Sequence, residues 1–256
     1  MTVRRLPALT AIALVLAQIA YPLTIGAARD RVTVVVVLLS VVTALAHARV
    51  TRGPRFAAGF LLIVSGIGLA AEIAGTTSGF PFGCYHYAHD RLGPAVADVP
   101  LLIALAWTGG LYPVWVVANR LGPVAAVRVP LTAAGAVGWD LFLDPQMVAD
   151  GQWTWCSPHP GLPGLAEIPY TNYLGWFAVA MVMAVLLESL GHRYAATTGT
   201  LAVPVAVFVW TWLGSALAHA AFLGLPASAA YGLLGLGLLG IPLAASVFRS
   251  GARSPG

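Results

Sequence analysis

Long runs of apolar residues, separated by short polar breaks, dominate this sequence. Each run approaches the roughly 20 residues that an α-helix needs to cross the hydrocarbon core of a bilayer. The second and fifth runs are short, so the pattern predicts about eight membrane-spanning helices, with seven as the alternative. The runs cover residues 6–26, 32–48, 56–75, 99–118, 127–144, 173–190, 200–222 and 227–248.

The composition favours a membrane protein over a water-soluble domain. Apolar residues make up 59% of the 256 residues and charged residues only 9%, whereas about a quarter of the residues of a soluble domain are charged. No polar stretch is long enough to form a separate soluble core. We therefore predict an all-α fold, a polytopic transmembrane helical bundle in which residues 1–256 form a single integral membrane domain.

The basic residues predict the orientation of this bundle. All thirteen are arginine. With eight spans and a cytoplasmic N-terminus, ten arginines fall on the cytoplasmic side, and only Arg29, Arg31 and Arg91 lie in outer loops. Because cytoplasmic loops of membrane proteins are enriched in cations, we predict a multi-pass protein of the cell membrane with both termini in the cytoplasm. The excess of basic residues is thus explained by membrane orientation, and we predict no nucleic-acid partner.

Two connections are longer than the others, and both lie on the predicted outer side. They run from residue 76 to about 98 and from residue 145 to about 172. Both are rich in glycine, proline and aromatic residues and poor in the polar residues of disordered linkers. Long loops of this kind commonly pack as lids, so we expect them to cover the outer end of the bundle.

Three carboxylates in or beside the predicted spans are the strongest chemical signal. Glu72 lies at the end of the third span, and Asp140 and Asp144 lie in the segment GWDLFLDP of the fifth. An ionised carboxylate costs at least a few kcal/mol in hydrocarbon, so such residues are commonly functional. The two aspartates are four residues apart and share one helix face. The alternatives are structural hydrogen bonding and, for Asp144 before Pro145, a helix end or turn.

Aromatic residues surround these acids in the sequence. Their faces can stabilise a transient cation by cation–π attraction, which is worth up to ~2 kcal/mol in a dry site. The alternative is the ordinary aromatic belt at the membrane boundary. The tryptophans concerned are Trp107, Trp139, Trp153, Trp155 and Trp176.

Cysteine and histidine residues in the two outer loops allow two interpretations. Their patterns are C-x-H-x-x-H and C-x-x-H, which match no standard zinc finger, so we assign no metal site. A disulfide between the two loops is the other possibility that the sequence leaves open. The residues are Cys84, His86, His89, Cys156 and His159. Two further histidines, His47 and His219, lie within spans and are expected to form hydrogen bonds between helices.

The stretch EIAGTTSGFPFGCYHY, from Glu72 to Tyr87, resembles the signature E-x-x-G…G-x-P-F-G-x-Y-x-Y of a membrane protein family of carotenoid biosynthesis. That family includes the CruF-type carotenoid hydratases. The resemblance continues through GWDLFLDPQMV, WTW and IPYTNYLGW, in this order, and several ordered motifs are more specific than one. It covers about residues 60–190, which would form the catalytic core, while the outer spans are similar only in hydropathy.

The resemblance implies an enzyme that adds water across the terminal 1,2 double bond of an acyclic carotenoid ψ-end. The substrate would be of the lycopene, γ-carotene or C50 type, and the product a tertiary alcohol. Hydration demands no organic cofactor and no redox metal. Besides the lipophilic carotenoid, water and the lipid bilayer, other enzymes of the carotenoid pathway are candidate partners.

This reaction needs an acid, a base and walls that tolerate a cation. Glu72, Asp140 and Asp144 fall inside the matching motifs and are the predicted catalytic residues, with the acid and base unassigned. The predicted substrate-binding residues are Tyr85, Tyr87, Trp107, Trp139, Trp153, Trp155, Asn172 and Trp176.

Three alternative functions remain at this point. The first is a carotenoid end-group cyclase or isomerase, in which a second double bond captures the cation. The second is a metal-dependent prenyltransferase, suggested by the D-x-x-x-D spacing but disfavoured because the sequence has only one such acidic cluster and few outer arginines. The third is a non-catalytic carotenoid-binding, scaffold or transport protein.

Overall fold

Eight α-helices carry the fold in the computed structural model, which describes residues 5–88, 90–156, 160–196 and 199–251. All eight are long and apolar enough to cross a membrane. The prediction of a helical bundle is therefore confirmed, with eight spans and not seven. The helices are α1 (Leu6–Ala20, continued by a 3-10 turn over Tyr21–Leu23), α2 (Gly26–Arg52), α3 (Pro54–Ser78), α4 (Leu101–Leu121), α5 (Ala125–Ala149), α6 (Tyr170–Arg193), α7 (Ala202–Ala221) and α8 (Pro226–Gly251).

Helix α2 begins six residues before the predicted span because its charged first turns find partners. Arg91, from the loop after α3, bonds Asp30 at 2.7 Å, and Arg29 bonds Asp150 at 3.1 Å. Arg91 also approaches Asp150 at 3.4 Å. These ion pairs connect the α3–α4 loop with the ends of α2 and α5 that are predicted to face outward, called the outer ends below. The bond to Asp30 raises the pKa of Arg91 further above its usual range, so the guanidinium stays charged.

Helix α5 runs through Pro145 to Ala149, so the alternative in which Asp144 ends the helix is wrong. A proline inside a helix has no N–H for the carbonyl four residues earlier, here that of Leu141. Ser228 of α8 supplies the missing donor, because its hydroxyl donates to Leu141 O at 2.7 Å. Membrane helices tolerate proline when a neighbouring helix satisfies the freed carbonyl in this way.

Helices α5 and α8 also touch through their backbones. A Cβ added at Gly138 would lie 2.6 Å from the carbonyl carbon of Gly235. Glycine at such a crossing lets two membrane helices approach closely. Helix α4, most of which is buried, lies at the centre of the bundle and packs against α2, α3, α5, α7 and α8.

The two long outer loops contain short antiparallel strands that the sequence did not predict. They are β1 (Tyr85–Tyr87), β2 (Ala95–Val96), β3 (Val99–Pro100), β4 (Trp153–Trp155), β5 (Gly161–Leu162) and β6 (Leu165–Pro169). Strand β2 pairs with β3, and β5 pairs with β6, each within one loop. Strand β1 pairs with β4 and thereby joins the two loops to each other.

The β1–β4 pair explains the alternating aromatic patterns Y-x-Y and W-x-W. Tyr85 is paired with Trp155 and Tyr87 with Trp153, and all four rings point into the bundle. The residues between them face outward, since successive side chains of a strand lie on opposite faces. A disulfide between Cys84 and Cys156 closes the end of the pair, which confirms one of the two possibilities left open by the sequence.

Candidate functional site

Glu72 lies buried near the outer end of α3, under strand β1. Tyr87 donates a hydrogen bond to Glu72 Oε2 at 2.6 Å, and Tyr85 donates to the same oxygen. The two phenols reach one oxygen because they alternate on the inner face of β1. Burial raises the pKa of both tyrosines far above the ordinary value, so each stays protonated and acts as a donor.

Gly75 makes this contact possible. It lies one helical turn after Glu72, and a Cβ there would come within 2.6 Å of the Phe82 ring and 2.8 Å of the Tyr85 hydroxyl. The Phe82 ring is held on its other side by Gly175 of α6, where a Cβ would lie 2.8 Å away. The glycine of the E-x-x-G motif therefore leaves room for the aromatic side chains that cover the glutamate.

Asp140 and Asp144 form the second acidic group, on the face of α5 that packs against α6. Both are buried, at 1% and 5% exposure. The side-chain amide of Asn172 donates to Asp140 Oδ2 at 3.3 Å and also to Asp144 Oδ2. The two carboxyl groups are close enough to each other to share a hydrogen bond. Asn172, which the sequence analysis predicted to bind substrate, thus holds both aspartates by hydrogen bonds.

The two acidic groups lie in one region of the bundle. Glu72 is close enough to Asp140 and to Asp144 to interact with both electrostatically. Trp107 approaches the Glu72 carboxyl group, and Trp153 approaches Asp144. All three predicted catalytic residues are thus brought together between α3, α5 and α6 under the β1–β4 pair.

The aromatic residues of the prediction form one connected cluster. Trp107 of α4 stacks on Trp176 of α6 with 3.9 Å between ring centroids and meets Trp139 edge-on at 5.2 Å. Trp176 in turn stacks on Phe82 at 4.6 Å. Phe82 meets Tyr85, and the rings of Tyr85, Tyr87, Trp153 and Trp155 complete the cluster. These rings pack inside the bundle, so the aromatic-belt alternative does not describe them.

A cavity of about 480 Å³ lies on the other side of this cluster, between α1, α2, α4, α5, α7 and α8. Trp107, Trp139 and Trp153 are part of its wall. The three acids are not among the described residues that line it. Two of these rings also approach the acids, Trp107 at Glu72 and Trp153 at Asp144, so indole rings lie between this cavity and the carboxyl groups.

Sequence reasoning missed two residues at the acids. Phe82 belongs to the P-F-G motif, but only the structure places its ring between two helices and the phenols. Tyr173 follows Asn172, and its buried hydroxyl has no hydrogen-bond partner among the described residues. It lies close enough to both aspartates to interact with them electrostatically. Aromatic residues directly beside a motif asparagine were the available signal.

The described parts of the chain contain no group of three acidic, histidine or cysteine side chains placed to hold a metal ion. Cys84 and Cys156 are bonded to each other. His86 is exposed on β1, and His89 and His159 lie outside the described residues.

The two membrane histidines do connect helices, as predicted. His47 of α2 bonds the Tyr112 hydroxyl of α4 at 2.8 Å. His219 of α7 bonds the hydroxyl of Ser228 on α8 at 2.9 Å and the side chain of Gln146 on α5 at 3.1 Å. These hydrogen bonds between helices give both histidines a structural role.

Comparison with known proteins identifies the family of this chain. The model of a family described as carotenoid biosynthesis protein matches residues 32–239. This match extends on both sides of residues 60–190, to which the motifs are confined. Neither a curated protein nor a solved structure matches the chain. Since the family match spans most of the sequence, the chain is a member of the carotenoid biosynthesis protein family.

Proposed function

We propose that this protein is a carotenoid hydratase that adds water to the terminal 1,2 double bond of an acyclic ψ-end group. The observation that carries this proposal is the convergence of three buried carboxyl groups under a roof of aromatic rings. Asp140 and Asp144 form a pair that can share a proton, and Glu72 is a single carboxylate that accepts hydrogen bonds from two phenols. Acid-catalysed addition of water needs a proton donor and a proton acceptor, and the family supplies the carotenoid context.

The proton donor in this proposal is the Asp140–Asp144 pair. Two adjacent carboxyl groups out of water hold a proton between them, because two negative charges at that separation repel strongly. The amide of Asn172 fixes both side chains. One aspartic acid O–H bond breaks, the π electrons of the alkene form a C2–H bond with this proton, and a tertiary cation remains at C1.

The aromatic cluster supports the cation. The faces of Trp107, Trp176 and neighbouring rings carry negative charge density, and a desolvated cation over such a face gains up to ~2 kcal/mol. Buried rings also limit the water that reaches the cation, so that one molecule can be directed to C1. Trp153 connects the cluster to Asp144.

The proton acceptor is Glu72. Two phenol donors on Oε2 stabilise its anionic form. Water attacks C1 through its oxygen, a C–O bond forms, and the released proton passes to Glu72. Transfer of this proton back to the aspartate pair restores the starting state, and the net change is one water added to one alkene. The Tyr173 hydroxyl, which has no hydrogen-bond partner in the described part of the chain, supports a role in binding the attacking water.

The test is expression of the chain in lycopene-producing cells, followed by mass analysis of the pigments. The unaltered protein should give pigment heavier by one water. Glu72→Gln and Asp140→Asn should each lower the hydrated fraction by about 100-fold or more, the usual effect of removing a general acid or base. Matched controls are Glu167→Gln and Asp98→Asn, which alter exposed carboxylates of the outer loops.

The outcomes separate the alternatives. If pigment changes without a change in mass, the protein is an end-group cyclase or isomerase, which begins with the same protonation. If pigment remains unchanged and is retained by the purified protein, a carotenoid-binding or transport function replaces the enzyme. Full hydration by Glu72→Gln at normal protein level would remove Glu72 from the mechanism.

We also infer that the site lies at the extracytoplasmic end of a protein in the cell membrane. The Cys84–Cys156 disulfide joins the two loops at this end, and disulfides persist in oxidising compartments. The arginine distribution favours the same orientation, with both termini in the cytoplasm.

A further inference from the structure

The cavity behind the tryptophans has its own chemistry. On α4 it extends from Leu102 to Val114, which is about 18 Å at 1.5 Å per residue. It therefore runs from the outer end of the bundle to about the middle of a bilayer core that is ~30 Å thick. Its walls are mainly apolar and aromatic, as in sites that bury a hydrophobic ligand.

Polar groups line the cavity at its outer end. Gln18 near the end of α1 and Tyr21 in the 3-10 turn that continues it are three residues apart, and Gln146 of α5 lies close to Tyr21. The Tyr21 hydroxyl and Gln18 Oε1 are buried, and neither has a hydrogen-bond partner among the described residues. Buried polar atoms normally have a partner, since leaving one unpaired costs roughly 1–3 kcal/mol.

These two atoms offer one donor and one acceptor. A hydroxyl group is their complement, because it can donate to Gln18 Oε1 and accept from the Tyr21 hydroxyl. Gln146 contributes less, since its side chain is already bonded to His219 at 3.1 Å.

We propose that this cavity binds one isoprenoid chain whose end carries a hydroxyl group, with the hydroxyl at Gln18 and Tyr21. The proposed function supplies the identity of the chain, namely a carotenoid with the tertiary alcohol that hydration creates. Trp153 lines the outer part of this cavity and also approaches Asp144, so the alcohol would leave the acids past Trp153.

The experiment is a binding titration of the purified Glu72→Gln protein, in which the proposed hydration is blocked, with lycopene and with its 1-hydroxy derivative, monitored by the quenching of tryptophan fluorescence. The hydroxy compound should bind about tenfold more tightly, the usual worth of one or two neutral hydrogen bonds. Tyr21→Phe and Gln18→Leu should remove this preference and leave the affinity for lycopene unchanged. Neither substitution breaks a hydrogen bond of the described structure, so both variants should fold.

The cavity itself is tested by filling it. Ala218→Phe points a ring into the cavity from α7 and should weaken binding of both compounds at least about tenfold. Ala220→Phe, an exposed position on the same helix, is the matched control and should bind both compounds normally. Should Ala218→Phe not fold, Ser215→Leu, which also lines the cavity one turn earlier, replaces it.

Three results would overturn the proposal. Equal binding of the two compounds by the Glu72→Gln protein would show that the cavity does not recognise the hydroxyl group. Normal binding by the filled variant would place the chain elsewhere. A preference that survives in Tyr21→Phe and Gln18→Leu, together with slower hydration, would mean that these groups hold water and not the alcohol. Because binding is measured without turnover, absence of hydratase activity would not decide any of these results.

Discussion

Gly75 lies against Phe82 so closely that a Cβ on the glycine would be 2.6 Å from the ring. The ring and the neighbouring Tyr85 hydroxyl occupy the volume that any side chain would need. Tyr85 donates a hydrogen bond to Glu72, which lies one turn before Gly75 in α3. A side chain at Gly75 would therefore disturb Glu72 by displacing Phe82 and Tyr85.

Gly75→Ala should therefore destabilise the protein by about 1–3 kcal/mol, the usual cost of overpacking a well-packed core. It should also lower pigment hydration per protein molecule, because the Tyr85 hydroxyl can no longer approach Glu72 as closely. Thermal unfolding and pigment mass analysis check the two effects. Gly66→Ala on the same helix is the control, because a Cβ there meets nothing within 4 Å. Equal behaviour of the two variants would contradict the argument.

Tyr87→Phe removes one of the two donors to Glu72 and keeps the ring in the cluster. A hydrogen bond to a charged group contributes about 1.5–3 kcal/mol, so we expect about a 10- to 100-fold decrease in the rate of hydration. Initial rates of pigment conversion in isolated membranes measure this effect. Tyr170→Phe, which alters a tyrosine that is 47% exposed, should have a rate close to that of the unaltered protein.

Cys84→Ser leaves Cys156, an exposed residue, as the single thiol of the chain. If this end of the bundle faces outward, a membrane-impermeant maleimide should label the variant in intact cells. A variant with both cysteines replaced by serine and Arg193→Cys at the other end should react only after lysis. Labelling in the opposite order would reverse the orientation inferred above.

Ser228→Ala should lower the free energy of unfolding by about 1–2 kcal/mol, because Leu141 O and one nitrogen of His219 then lose their partner inside the bundle. The melting temperature in detergent measures this effect. Ser78→Ala, at the exposed end of α3, is the comparison. A change at Ser228 no larger than that at Ser78 would show that the carbonyl freed by Pro145 finds another donor.

Hydropathy was sufficient to predict the helices, because a span must satisfy its backbone internally and remain apolar along its length. The strands were not predictable in the same way. Tyr85–Tyr87 and Trp153–Trp155 are too short for a periodic signal, and the paired residues are about 66 to 70 positions apart in the sequence. The same distance along the chain left the disulfide undecided, since spacing says nothing about how near two loops lie.

The residues of the candidate site were easier to select from the sequence than their arrangement was to predict. Charge inside an apolar run identifies Glu72, Asp140 and Asp144, because burying charge is costly wherever it occurs. Which phenols cover Glu72, and which amide holds the aspartates, depends on tertiary packing. The position of the cavity behind Trp107 and Trp139 also depends on six helices together, so no local pattern predicts it.

The glycine crossing of α5 and α8 limits how a bulky polyene can gain access to the acids. At Gly138 and Gly235 the two backbones already touch, so α5 cannot shift toward α8. Space for a rigid substrate must then come from rotation of indole rings or from outward movement of α3 and α6. Turnover by the proposed reaction would consequently depend on movement of these rings or of α3 and α6 around a fixed α5, and a crosslink between α5 and α8 should leave it unchanged.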